Sequence, residues 1–152
     1  MKKGIMYILI VLLLFSYKTI EGYEYHKEVT IIEQLLNERI TIMNDFLYNG
    51  KDLKDLEEKL NKIEAGDQLE NDLDILSKVI DNPTDFELSK NVKVEKINKL
   101  DKTEDGIDIN ADLNWLIEGY DGEYNLIKNY NIKCLECNNI IYLSMLKYVE
   151  NE

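Results

Sequence analysis

The chain has 152 residues, and 30 acidic residues oppose 18 basic ones, which gives a net charge of −12. A surface of this sign repels the phosphates of nucleic acids and of anionic lipids, so neither is an expected partner. The length suits one domain that buries a sizeable core.

The N-terminus carries two lysines followed by fourteen uncharged residues, Gly4 to Tyr17. As a helix this run would reach ~21 Å, short of the ~30 Å hydrocarbon core of a bilayer. The run has the length of a signal-peptide core, but the sequence before Tyr23 is a poor cleavage site, so an uncleaved anchor stays open. We therefore predict residues 1–22 as a signal peptide or N-terminal membrane anchor, and residues 23–152 as a single domain outside the membrane.

Apolar residues at helical spacing predict three helices before Pro83, the only proline. The first helix runs over residues 24–48 and stops at Asn49-Gly50. A second begins near residue 51 and has its C-terminal stop at Ala65-Gly66, and a third starts at Asp67 and continues to residue 82.

Alternating apolar and polar residues predict four strands after Pro83. The first spans roughly residues 89–100, with a bulge near Glu95-Lys96 where the apolar positions change parity. Turns at residues 103–106, at Asp121-Gly122 and at Asn138-Asn139 join the strands into a meander.

Closing these turns predicts a register. Ile117 lies opposite Leu126 and Ile132 opposite Met145, so the apolar stripes share one face. A sheet with a single apolar face, which helices can cover, predicts an α+β fold. In this fold three helices pack on one face of a curved four-stranded antiparallel meander.

The order of elements resembles the cystatin-like cone fold of the nuclear-transport-factor-two-like superfamily. The resemblance covers residues 24–148 and includes the Trp115–Tyr120 stretch, Trp-Leu-Ile-Glu-Gly-Tyr. Members with one N-terminal membrane segment include extracytoplasmic scaffold subunits of secretion and conjugation machines, and others are enzymes or small-ligand binders. The resemblance therefore implies a fold and leaves the function open.

One cluster on the predicted inner face combines aromatic rings with ammonium groups. The register places Lys128 opposite Trp115 and Tyr130 opposite Lys147, which predicts a cation–π contact and a hydrogen bond. Two interpretations stay open. Either the lysine stems reach water at the rim of the core, or the four residues line the mouth of a pocket for a small anionic ligand.

Cys134 and Cys137 form a Cys-x-x-Cys pair, but residues three apart in a strand point to opposite faces. We therefore expect free thiols, with a disulfide as the disfavoured alternative. Zinc would need two further ligands, so no metal site or cofactor is expected.

No catalytic group is predicted. The only histidine, His26, lies near the start of the first helix, away from the strands. We predict a bacterial, exported or membrane-tethered, non-catalytic interaction module, such as a scaffold or accessory subunit of a cell-envelope assembly, that binds a protein partner there. The alternative is a secreted carrier of a small ligand in a cone pocket.

Overall fold

The computed structural model describes the backbone of residues 2–50, 52–81 and 87–150, and the side chains of residues 26–50, 52–79 and 87–150. Its elements, in chain order, are α1 (Lys2–Asn49), α2 (Leu53–Leu60), α3 (Asp67–Asp81), β1 (Leu88–Thr103), β2 (Gly106–Gly119), β3 (Gly122–Cys137) and β4 (Ile140–Tyr148). The strands form one antiparallel sheet in the order β1-β2-β3-β4. The predicted α+β class, with three helices and a four-stranded meander, is confirmed.

The chain divides into two compact units, Met1–Ile32 and Glu33–Glu152. The first unit contains the N-terminal part of α1. This helix begins at Lys2 and not near residue 24, where the sequence predicted its start. The second contains the rest of α1, both other helices and the sheet. The predicted signal or anchor, residues 1–22, lies outside the residues with described side chains, so it stays a prediction, as does a domain boundary after residue 22. Among the residues with described side chains, no helix is both long and apolar enough to cross a membrane.

Two short helices follow α1. Asp52 caps α2, because its side chain accepts a hydrogen bond of 2.9 Å from the backbone N–H of Lys54. This helix ends at Leu60 and not at the predicted Ala65-Gly66, since the next residues leave the helix to pair with β4. The third helix begins at Asp67, as predicted.

One face of the sheet carries the core. Every second residue of β2 from Ile109 to Ile117 is buried, and the residues between them are partly exposed. This alternation is the period of a strand with one covered face. The helices and the segment between α2 and α3 contribute the other half of the core: Leu36, Ile40, Phe46, Leu56, Leu60, Ile63 and Leu76.

The free edge of β1 is closed by polar side chains of α1. The Asn37 amide makes two hydrogen bonds with the backbone of Val92, donating to its carbonyl at 2.9 Å and accepting from its N–H at 3.0 Å. A neighbouring strand would make the same pair of bonds. Glu33 also accepts from the N–H of Val94 at 2.8 Å. The helix thus satisfies backbone groups that an edge strand would otherwise expose.

The opposite edge, along β4, is closed by the segment between α2 and α3. The Leu143 N–H donates to the Ile63 carbonyl at 2.8 Å, and its carbonyl accepts from the Ala65 N–H at 3.0 Å. One turn further, the Gln68 side chain accepts from the Leu146 N–H at 2.8 Å. Both outer strands therefore have partners in the helical half.

The predicted bulge in β1 is confirmed. The register with β2 shifts between Val94 and Lys96, which leaves Glu95 without an opposite residue. Two further shifts surround Lys90 and Asn98. Each extra residue increases the local twist of the strand.

The predicted register between β2 and β3 is wrong by two residues. Ile117 lies opposite Tyr124 and not Leu126, because the hairpin closes between Gly119 and Gly122. Gly122 has φ +116°, a conformation that glycine adopts readily. A shift of two keeps the parity of the strand, so the apolar residues still lie on the predicted face.

The hairpin between β3 and β4 begins as predicted. Asn138 and Asn139 have φ angles of 54° and 64°, which suit a tight two-residue turn. Cys134 lies opposite Leu143, also as predicted.

Beyond that pair, a bulge at Ser144 makes the predicted register wrong by one residue. The Ser144 hydroxyl donates to the Lys133 carbonyl at 3.1 Å, and the side chain is buried. As a result, Tyr130 lies opposite Tyr148, and Lys147 lies opposite Asn131. A shift of one residue exchanges the two faces of a strand. Ile132 accordingly faces Leu146 and not Met145.

Candidate functional site

Three of the four residues predicted to form a site come together with Tyr148. The Trp115 and Tyr130 rings have centroids 5.7 Å apart, and the Tyr130 and Tyr148 rings 5.8 Å apart. The Lys128 Nζ lies 5.4 Å from the centroid of the Tyr148 ring. The cation–π contact of Lys128 is therefore with Tyr148, and the predicted contact with Trp115 is wrong.

Lys147, the fourth predicted residue, does not join this cluster. The bulge at Ser144 places it opposite Asn131, whose side chain lies on the polar face of the sheet. The predicted hydrogen bond between Tyr130 and Lys147 is therefore wrong, and the two ammonium groups do not converge. A ligand-binding role for the other three residues stays a prediction.

The inner part of the cluster is largely removed from solvent. Trp115 is buried, and its indole Nε1 has no hydrogen-bond acceptor at bonding geometry. Burial, followed by the neighbouring Tyr148 hydroxyl, raises the pKa of Tyr130. Because the Tyr130 phenol is neutral at physiological pH, it adds no charge to the cluster. The Trp115 and Tyr130 rings therefore form an apolar layer and not an acid–base pair.

Around the Trp115 and Tyr130 rings, several large apolar side chains are exposed. We call them the β3 edge patch: Tyr120, Tyr124, Leu126, Ile127 and Tyr148, which are between 38% and 103% exposed. Strand β4 pairs with β3 only as far as Tyr130, whereas β3 continues back to Gly122. The patch therefore surrounds a stretch of β3 that, among the described elements, has β2 on one side and no strand on the other.

Carboxylates border the β3 edge patch. Asp121 and Glu123 are exposed at its hairpin end. The Tyr124 hydroxyl donates to Glu87 at 2.7 Å, and this bond raises the pKa of Tyr124. A recess of about 290 Å³ lies between these groups and Gly119. The border of the patch is acidic.

A buried ionic cluster, which the sequence reading missed, links the helical elements. The Arg39 guanidinium makes two hydrogen bonds with the Asp72 carboxylate, and its Nε lies 3.2 Å from a Glu64 oxygen. Gln68 donates to the same Asp72 carboxylate at 3.0 Å. The cluster joins α1, α3 and the segment between α2 and α3. Its signal in the sequence is that Arg39 is the only arginine.

The charge on this cluster is set by Glu64. Burial raises its pKa from 4.5 to about 8, the adjacent Asp72 carboxylate adds to the rise, and Arg39 opposes it. Both carboxylates are buried. With a pKa of about 8, Glu64 is mainly protonated at neutral pH, so it adds little negative charge beside Arg39. Arg39 also lines a recess of about 200 Å³ on one side, while its ion pairs connect α1 to α3 and to the segment between α2 and α3.

The two cysteines have different surroundings. Both thiols are free, with Cys134 buried and Cys137 exposed. Burial raises the pKa of Cys134 to about 12, which suppresses the thiolate. The expectation of free thiols in the exported protein stays a prediction. Among residues with described side chains, no group of three His, Cys, Asp or Glu side chains is placed to hold a metal ion.

The polar face of the sheet carries a ladder of amides. Asn110 donates to Asn129 at 2.8 Å and to Asn131 at 2.9 Å, and Asn129 donates to Asp112 at 2.7 Å. Asn98 adds a bond of 3.0 Å to the same Asp112 carboxylate. These groups satisfy one another across three strands, which suits a wet face.

No family model matches the chain, and no curated protein matches it. A solved structure of the intermembrane space region of the chloroplast protein ARC6 has a TM-score of 0.45 and 8% identity, covering 81% of this chain and 97% of its own. A solution structure of a de novo β-sheet design has a TM-score of 0.35 and 12% identity, covering 79% of this chain and 88% of its own. At such low TM-scores and identities, neither likeness carries an argument about function.

Proposed function

We propose that this protein is a non-catalytic interaction module, exported or tethered by its N-terminus, that binds a protein partner through the β3 edge patch. The observation that supports this proposal is the concentration of exposed aromatic and aliphatic side chains along one short stretch of strand. Scattered apolar residues are normal on a protein surface, whereas a contiguous group with a polar border marks an interaction site.

The composition of the patch fits a protein interface. Tyrosines supply three of its five side chains, and a buried tryptophan lies directly beneath. Aromatic residues are enriched at protein interfaces because they bury a large area at a small cost in side-chain entropy. Lys128 packs its charge over Tyr148 and so keeps that ring in place for a partner.

A location outside the membrane is part of the proposal, and the uncharged run from Gly4 to Tyr17 supports it. The proposal does not depend on the cystatin-like cone superfamily, which remains our prediction from the order of elements. The small-ligand carrier is less well supported, because Lys128 and Lys147 lie on opposite faces.

Site-specific photo-crosslinking of the full-length chain tests the interaction. A photoreactive amino acid at Leu126, inside the patch, should give a discrete adduct with one protein in membranes of the producing cell. The matched control carries it at Ile140, which is similarly exposed but lies at the start of β4. Equal adducts at both positions, or none at Leu126, would contradict the proposal.

The exposed Cys137 thiol tests the location without any mutation. A membrane-impermeant maleimide added to intact cells should label Cys137 if the domain faces outward. Labelling that requires broken cells would place the domain inside and refute the export part of the proposal.

A further inference from the structure

We infer that the outer edge of β3 between Gly122 and Lys128, the edge away from β2, binds an extended, basic segment of the partner protein as an added β-strand. This inference rests on the proposed function and specifies how the partner binds and what its chemistry is.

The backbone of β3 directs unpaired groups toward solvent. Val149 donates to the Asn129 carbonyl at 2.9 Å, so the backbone of Asn129 faces the β4 side. Glu136 donates to the Asp105 carbonyl at 2.8 Å, so this even-numbered residue faces the opposite, β2 side. Backbone direction alternates along an antiparallel strand. The residues that face the open side, beyond the end of β4, are therefore Glu123, Asn125 and Ile127.

The other outer edges of the sheet are not left in this state. Asn37 pairs with Val92 on β1, and on β4 the Ala65 N–H donates to the Leu143 carbonyl while Gln68 accepts from the Leu146 N–H. Between Gly122 and Lys128, β2 pairs with one edge of β3, and no strand of the described chain pairs with the other edge. An exposed strand edge of this kind is a template for an added strand, and several peptide-binding domains use one.

Charge selects the class of segment. Asp121 and Glu123 lie at the hairpin end of the open edge, Glu87 accepts a hydrogen bond from Tyr124 at the same end of the sheet, and Lys128 is placed over the Tyr148 ring. The whole chain carries −12. A basic strand gains attraction from this field, whereas a second copy of the chain would bring another −12 and be repelled.

The two faces of the edge set the pattern of the segment. On the helix face the neighbours of an added strand are Tyr124, Leu126 and Tyr148, and on the other face they are Glu123, Asn125 and Ile127. Side chains of an added strand alternate between these faces. The fitting segment therefore alternates apolar residues with lysine or arginine over about six residues.

Synthetic peptides test the inference with the full-length chain in detergent. The probe is a fluorescent peptide of about eight residues that alternates lysine and valine. One matched peptide replaces each lysine with glutamate, and another carries N-methyl groups on alternate amides. Fluorescence anisotropy should show binding of the lysine peptide and at least about tenfold weaker binding of both others. Raising the salt from about 0.05 to 0.15 M should weaken binding of the lysine peptide.

A backbone variant tests the same contact from the protein side. Asn125→Pro removes an outward N–H, and β3 should tolerate it because the ladder with β2 does not use that group. The control, Asn125→Ala, changes the side chain and keeps the N–H. We expect Asn125→Pro to weaken the lysine peptide at least about tenfold and Asn125→Ala to leave it nearly unchanged. The N-methylated peptide gives the same information should Asn125→Pro fail to fold.

The outcomes separate this inference from the proposed function. Equal binding of the methylated and unmethylated peptides, or of the two Asn125 variants, would overturn strand addition. Crosslinking at Leu126 would still support the interaction module. Tight binding of the glutamate peptide would overturn a basic partner. A dimer that Asn125→Pro converts to monomer would identify a second copy as the occupant and overturn the inference.

Discussion

Replacing Glu64 with Gln should stabilise the protein at neutral pH and leave its stability unchanged near pH 4. Burial, reinforced by Asp72, raises the pKa of Glu64 from 4.5 to about 8 in the folded state. Below the lower value the carboxyl is protonated in both states, so pH has no effect through this group. As pH rises, the unfolded chain ionises first, and the free energy of unfolding falls until the pH passes the upper value.

The size of the effect follows from the same two values. Each unit of pKa corresponds to about 1.4 kcal/mol, so the loss between pH 4.5 and pH 7 amounts to at most about 3 kcal/mol. Relaxation around the ionised group reduces this figure, and we expect Glu64→Gln to recover on the order of 2 kcal/mol at pH 7. Glutamine keeps the shape and the donor of the protonated carboxyl, so the contact with Asp72 persists.

Urea unfolding monitored by Trp115, the only tryptophan and a buried one, measures the difference. Curves at several values between about pH 4 and pH 8 should diverge, with the variant losing less stability as pH rises. Glu58→Gln, an exposed change on α2, is the matched control and should stay within about 0.5 kcal/mol of wild type. Parallel curves for wild type and Glu64→Gln would refute a protonated Glu64.

Replacing Arg39 with Leu leaves a buried carboxylate without its cation and should cost about 3–5 kcal/mol in urea unfolding; a loss below about 1 kcal/mol would contradict the ion pair's role. Replacing Asn37 with Leu orphans both backbone groups of Val92, so we expect a loss of about 2 kcal/mol and faster amide exchange at Val92. A maleimide should modify one thiol of the native protein, Cys137, and reach Cys134 only after unfolding, and labelling of both at equal rates would contradict the burial of Cys134.

The fold class was predictable because parity along a strand is robust. The hairpin after Gly119 closes two residues away from the predicted position, and a shift of two returns each side chain to the same face. In the sequence, Pro83 marked the change from helical to strand period, and Asp67 marked the start of the third helix. These signals depend on a few residues each and do not require knowledge of distant contacts.

The candidate site was predictable only in part, because it depends on one inserted residue. Ser144 looks like any polar residue of an alternating strand, yet it bulges and exchanges Lys147 for Tyr148 next to Tyr130. Two contacts accompany this bulge. The Ser144 hydroxyl donates to the Lys133 carbonyl on β3, and the Leu143 backbone pairs with the segment between α2 and α3. The alternation of apolar and polar residues in the sequence does not reveal these contacts.

The same limit hid the ionic cluster. Arg39 and Glu64 belong to predicted helical faces, and Asp72 falls on the third helix, so each alone resembles a solvated charge. Burial brings them together only after α1 and α3 pack. The rarity of arginine in this chain was the available clue, and it indicated a special position without naming the partner.

The closure of β1 by Asn37 and of β4 by Ala65 has a consequence for synthesis. Both covering residues precede the strands that they cover, so they leave the ribosome before those strands exist. Strands β1 and β4 can therefore pair with these groups, which are already synthesised, as soon as each strand leaves the ribosome. A fragment that began at β1 would lack both covers and would expose two extra rows of sticky backbone to its neighbours.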